Sequence, residues 1–275
     1  MRKNKFREFL NEGRATVGTH MNEVSPNIAE VIGHSGAFDY IELVGEYADW
    51  DLKDLANFSR AVDLFPHMSS MMKIEQEPRV FIATRSIDAG IQSVLFTDCR
   101  SAEEAKACIQ AVKPESPQSG GIHGCGMRRN VGYVVEGCSQ AWVDAMDEVV
   151  IALMIEKAGA MEQIDEILSL KGLDMVQFGP GDYSISIGKA GKGRDSDVQK
   201  AQRTMIEKAL KKGVHPRVEI NSYEQAQPWI EMGVRHFCIG WDLKVIYEWC
   251  KVHGEGLKKL LSLDTSSVST KKTTY

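Results

Sequence analysis

Eight short apolar runs, most of them followed by a helical pattern, constrain this chain more than any other feature. They cover residues 16–20, 38–44, 68–74, 93–96, 149–155, 175–178, 214–218 and 235–239. Runs of that length between turn signals read as buried strands, and a helix after each makes a βα unit. Helix starts recur behind them. Ser25-Pro26 puts proline at the first helical position, and Ser101-Ala102-Glu103-Glu104 is a capping box. Eight such units predict a (β/α)8 TIM barrel, a parallel eight-stranded barrel with outer helices, over residues 1–262. The Ser/Thr/Lys-rich stretch 263–275 reads as a disordered tail. A doubly wound open sheet is the competing architecture, but no G-x-G-x-x-G follows the first strand.

A barrel makes a test of itself, because its active site lies where the strands end. His20, Glu46, Lys73, Glu156, Asp182, Arg217, Glu219 and Asp242 each close a strand or follow one. Composition narrows the partners. A net charge of −5 gives no reason to expect nucleic acid or an anionic membrane surface. No run is long enough to span a bilayer and no apolar leader opens the chain, so the cytoplasm is the expected compartment. Six cysteines without a C-x-x-C spacing read as free thiols. One long irregular segment, 113–140, carries His123, Cys125, Arg128 and Arg129, and loops of that length are usually functional or disordered.

Two of the runs end in acids. Val149–Ile155 stops at Glu156, and Met175–Phe178 leads into Gly179-Pro180-Gly181-Asp182. Adjacent buried strands that finish this way bring two carboxylates to one mouth, the donor set hard cations prefer. Water and a chelating 2-oxo acid would complete the shell, and the cation would stabilise an enolate. The glycines flanking Pro180 also let backbone N–H groups face an anion, which makes Gly181 and Asp182 candidates for substrate binding. The plainer alternative is that Glu156 caps a helix and Asp182 opens a turn.

The stretches LMIEKAGAMEQIDEIL and GLDMVQFGPGDYS resemble the metal-dependent class II pyruvate aldolases of the HpcH/HpaI aldolase/citrate lyase family. FDYIELVGEY (38–47), GIHG (121–124) and GWD (240–242) extend the likeness over nearly the whole chain except its tail. The resemblance implies a barrel, a divalent metal (Mg²⁺, Mn²⁺ or Co²⁺) on Glu156 and Asp182, and homo-oligomers that meet through the last helices. It also implies aldol chemistry on a 2-oxo acid and an aldehyde.

The departures matter equally. The family's base histidine and the aspartate that holds it correspond to Tyr47 and Val44. Its glutamine before the metal glutamate is Met154, its pyruvate-steadying arginine has only Lys73 opposite, and the arginine of G-x-R-G is His123. The acid–base machinery is therefore rewritten. Tyr47 is a donor rather than a base, Glu46 can orient a water, and His20 or His123 can replace the missing base. Lys73, Arg128 and Arg129 are candidate substrate-binding cations, the arginines suiting a second acidic group. Three readings follow: a carbon–carbon lyase working through a pyruvate-type enolate, a decarboxylase or condensing enzyme using the same enolate, and a non-catalytic barrel that binds oxo acids.

Overall fold

A computed structural model of the chain describes residues 2–263, so all of the expected tail 263–275 except its first residue lies outside the described residues. Its centre is a closed barrel of parallel strands in sequential order, with β8 returning to pair with β1. The strands are β1 (Thr16–Met21), β2 (Tyr40–Val44), β3 (Ser69–Ile74), β4 (Ser93–Phe96), β5 (Val150–Ile155), β6 (Met175–Phe178), β7 (His215–Ile220) and β8 (His236–Trp241). Each begins within two residues of its apolar run, so the barrel expected from sequence is the one observed.

An N-terminal helix, α1 (Lys5–Asn11), precedes the barrel. Around the outside follow α2 (Pro26–Ser35), α3 (Leu52–Asp63), α4 (Arg79–Asp88), α5 (Ala102–Val112) and α6 (Gln140–Asp147). The short α7 (Ala158–Glu162) and α8 (Ile164–Ile167) share one connection, as α9 (Pro180–Ser186) and α10 (Ser196–Lys212) share the next. The last are α11 (Gln227–Glu231) and α12 (Asp242–Leu260). Local chemistry accounts for several boundaries. Asp51 and Asp54 form a reciprocal capping box at the start of α3. Gly213 ends α10 at φ +75°, the left-handed conformation that glycine adopts without a Cβ penalty.

The apolar residues divide into two shells. The larger lies between strands and helices, and the smaller fills the barrel with Tyr40, Met71, Leu95, Ala152, Met154 and Met175 among others. Phe6 and Leu10 of α1 belong to the inner shell, which the sequence reading did not anticipate. The Phe6 ring stacks on Tyr40 with centroids 4.5 Å apart, and Tyr40 donates to the Phe237 carbonyl at 3.0 Å. Asn4 caps α1 and also donates to the carbonyls of Gln92 and Glu148. Arg7 forms a two-pronged pair with Asp174 at 2.6 and 2.7 Å. The helix is thus a plug pinned across the N-terminal end of the barrel. Gly18 makes room for it, because a Cβ there would lie 2.2 Å from the Tyr40 ring.

The long segment after α5 leaves the C-terminal end of a helix and so belongs to that same plugged end. His123 is buried beside Asp88, the last residue of α4, with Nε2 3.8 Å from Oδ1. Arg128 pairs with Asp88 at 3.3 Å, and Arg129 pairs with Asp63, the last residue of α3, at 2.5 Å. These three residues, expected at the site, stand at the opposite end of the barrel from the strand termini. The chain direction decides it: a loop entering a strand cannot reach the face where strands exit.

Truncating Phe6 to alanine removes a fully buried ring from the plug, and large aromatic deletions of that kind cost ~3–5 kcal/mol. The loss should appear as a lowered urea midpoint, with the circular dichroism of the folded state retained.

Candidate active site

At the open end the strand termini supply two connected groups of charge. The outer group surrounds Glu156, which follows β5 and is 4% exposed. Its Oε1 accepts from the Asp98 backbone N–H at 2.7 Å, and its Oε2 faces Gly179. A Cβ at position 179 would lie 2.5 Å from that oxygen, so only glycine leaves the carboxylate its place. Gly181 is under no such demand, since a Cβ there would meet nothing within 4 Å. Asp182 lies in the first turn of α9, where its Oδ1 accepts from Lys157 Nζ at 3.2 Å. Lys157 also holds Asp98 Oδ1 at 2.5 Å and so ties the ends of β4, β5 and β6 together.

Burial pushes the Glu156 carboxyl up to about 7. The Asp98 N–H and Lys73 oppose that rise, while Asp98 and Asp182 add to it. Among the described residues no group of three or more His, Cys, Asp or Glu is arranged to hold a metal ion. The fit to a hard cation is nonetheless chemically sound. Two carboxylates influence one another here, and a cation would relieve the penalty that burial places on the Glu156 charge. The remaining coordination positions would fall to water and a chelating substrate.

Beside them Lys73 pairs with Glu46 at 2.6 Å and lies 5.0 Å from the centre of the Tyr47 ring. Burial disfavours the Lys73 charge, but Glu46 and Tyr47 outweigh it and raise its pKa well above the ordinary lysine value. Burial also raises the Tyr47 phenol; Lys73 opposes this, and Glu46, Asp182 and Glu156 reinforce it. The phenol therefore keeps its proton at neutral pH and is a hydrogen-bond donor rather than a base. A cleft of about 620 Å³ opens here, lined by Glu46, Asp49, Asp51, Asp54 and Glu75 among others.

The inner group forms the floor. Arg217 on β7 and Glu42 on β2 make a salt bridge in which neither side chain is exposed. His20 on β1 sits 3.2 Å from Glu42 and 3.8 Å from Glu219. Burial works against the Glu42 charge, but Arg217 and His20 prevail and bring its carboxyl down to about 2. Burial likewise opposes charge on His20, yet Cys238, Glu219 and Glu42 hold its pKa well above the usual imidazole value. His20 is at the mouth as the sequence predicts, but it carries its proton and is unsuited to act as a base near neutrality. Asp242 turns away from chemistry altogether, accepting from the backbone N–H groups of Asn22 and Glu23.

The mouth thus unites Glu156, Asp182, Glu46, Tyr47, Lys73 and His20 of the expected residues. Sequence reasoning missed Asp98, Lys157, Glu42 and Gln177. Asp98 and Lys157 each stand two residues past a strand end, the position that already singled out the others. Glu42 was visible as a lone acid inside an apolar run.

A model of the HpcH/HpaI aldolase/citrate lyase family matches residues 23–247. The chain belongs to that family. It is 25% identical over 243 residues to a 4-hydroxy-2-oxo-heptane-1,7-dioate aldolase of Shigella boydii, covering 88% of this chain and 90% of the relative. Among solved structures it is similar to an HpcH/HpaI aldolase/citrate lyase family protein from Burkholderia cenocepacia, with a TM-score of 0.83 and 22% identity over 93% of this chain and all of that one. A citrate synthase, SbnG, superposes with a TM-score of 0.81 at 21% identity, covering 93% of this chain and 98% of its own. The relatives are named for making or breaking carbon–carbon bonds, and the chain shares their fold.

Folding raises the Glu156 carboxyl from 4.5 to about 7, so the native protein retains a proton that the unfolded chain has released between those values. This contribution is fully present below pH 4.5 and is lost as pH rises through about 7. At about 1.4 kcal/mol per pH unit it amounts to ~3 kcal/mol at most. Urea titrations of EDTA-treated protein between pH 5 and 8 should show the decline, and Glu156→Gln should remove it.

Proposed function

We propose that this chain is a divalent-metal-dependent carbon–carbon lyase acting on a 2-oxo acid through a pyruvate-type enolate. The observation that carries the reading is the buried Glu156, held by the Asp98 N–H and seated in the place that Gly179 leaves free, with Asp182 close enough to raise its pKa. A divalent cation on Glu156 and Asp182, such as Mg²⁺, Mn²⁺ or Co²⁺, would polarise the keto oxygen of the substrate. Lys157 fixes Asp182 from the side, and Lys73 supplies positive charge to the carboxylate of the oxo acid. Tyr47, protonated and exposed, donates to oxygen at the aldehyde carbon. Glu46 is the acid beside it that can accept the aldol proton through a water.

Decarboxylation of an oxo acid is the second reading, supported by one specific feature. The family's base histidine is Tyr47, which keeps its proton, and departure of CO₂ needs no base at an aldol hydroxyl. The protein should be assayed with oxaloacetate and with pyruvate plus aldehydes, each with and without EDTA. Glu156→Ala and Asp182→Ala should each lower turnover at least 100-fold, and EDTA should reproduce the loss. Substrate binding that survives with no turnover under any metal would leave only an oxo-acid-binding barrel.

The chain is also proposed to work as a homo-oligomer. None of the nineteen residues of α12 is buried, and Val245, Ile246, Trp249, Val252 and Leu257 are all more than half exposed. Val17, on the outer face of β1, is 38% exposed where a barrel strand is ordinarily covered. A bare seam and an unused apolar helix in one chain are complementary, so a second copy is the natural occupant. Light scattering on the eluting protein should give at least twice the 30.6 kDa chain mass, and Trp249→Glu with Val252→Glu should reduce it to the monomer.

A further inference from the structure

The floor of the mouth contains a second feature that the metal pair does not use. Strands β6 and β7 are in register at Gln177 and Arg217, so two residues later Gly179 and Glu219 stand level. Gly179 also lies against Glu156, its N–H bonded to the Ile155 carbonyl at 3.2 Å. Glu156, Gly179 and Glu219 therefore follow one another across three adjacent strands. At a strand spacing of ~4.8 Å the backbones of the two acids are about 10 Å apart. Between them lies Gly179, over which the Glu156 carboxylate and the Met154 methyl already take the place of a Cβ. Beyond that carboxylate the solvent-reached part of the mouth forms a bay, with the exposed Glu219 side chain on its wall.

The bay is rich in acceptors. The Glu219 side chain is 39% exposed on a strand whose neighbouring positions are buried. Among the described residues it takes one hydrogen bond, from Gln177 Nε2 at 3.3 Å, and His20 stays outside hydrogen-bond distance at 3.8 Å. Gln177 is 2% exposed, and among the described residues its buried Oε1 has no hydrogen-bond partner. Unpaired positive charge is lacking there among the described residues. At the C-terminal ends of the strands His20, Lys73, Lys157 and Arg217 are each tied to a carboxylate.

We infer that this bay is the seat of the aldehyde partner, and that Glu219 with Gln177 selects a neutral hydroxylated aldehyde over one bearing a carboxylate. One hydroxyl donates to Glu219, which takes only the Gln177 bond, and a second donates to Gln177 Oε1, which has no partner among the described residues. A carboxylate in the same place would face an acid with no unpaired cation to balance it. Glu219 is a specificity residue in this assignment, acting on the acceptor and not on the oxo acid.

The inference rests on the enolate reading above, so its test separates the two. Exchange of the pyruvate methyl protons in D₂O, followed by NMR with Mn²⁺-loaded protein and no aldehyde, reports the enolate alone. Condensation of pyruvate with glyceraldehyde and with succinic semialdehyde then reports the bay. The wild-type protein should favour glyceraldehyde by at least 10-fold in kcat/KM. Glu219→Gln should shrink that ratio about 10-fold, chiefly through the KM for glyceraldehyde. Glu219→Asp, which keeps the charge but withdraws it, is read in the same way and covers a Gln variant that does not fold. Preference for succinic semialdehyde, or a ratio unmoved by both variants while exchange persists, overturns the assignment and leaves the enolate reading standing. Absence of exchange overturns both.

Discussion

The Glu42–Arg217 pair is the constraint around which the mouth is built. Two opposite charges enclosed inside a barrel are expensive to desolvate and hold their geometry only when both are kept. Arg217 also donates to Met71 Sδ at 3.0 Å and lies over the Tyr40 ring, so the pair rests directly on the apolar filling below. Above it, His20 is fixed by Glu42, and Glu219 is steadied by Gln177. A floor anchored this way lets the outer acids be arranged independently. Glu156 takes its position from a backbone N–H and a glycine, and Asp182 from a lysine on the neighbouring strand end.

Most of the fold was legible because the strands of a closed barrel are buried on both faces. Runs such as VVIALMI (149–155) show no alternation to be misread, and the acids that end them mark the exit face. The N-terminal plug escaped notice because α1 is only seven residues long, and its role depends on partners far along the chain. Its signals were nevertheless present in Asn4, the capping residue, and in the spacing of Phe6, Phe9 and Leu10.

The two acids at the strand ends were legible in the sequence, and the electrostatics around them were not. Sequence reading treats His20 as an available base because an isolated imidazole titrates near neutrality. Only the enclosing acids Glu42 and Glu219 reveal that it keeps its proton. His123, Arg128 and Arg129 were drawn to the site by their chemistry, although their place between a helix end and a strand start assigned them elsewhere. Polarity alone ranks loops poorly. The direction in which the chain travels through them ranks them better.

The plug has a consequence for the order in which this molecule can assemble. Phe6 and Arg7 are made before their partners, which include Tyr40 and Asp174, and Tyr40 itself closes onto the carbonyl of Phe237. The helix must therefore wait for the eighth strand before its seat is complete. Until that strand arrives its aromatic face stays open to water, which leaves a growing chain on the ribosome with a sticky segment ahead of the first strand.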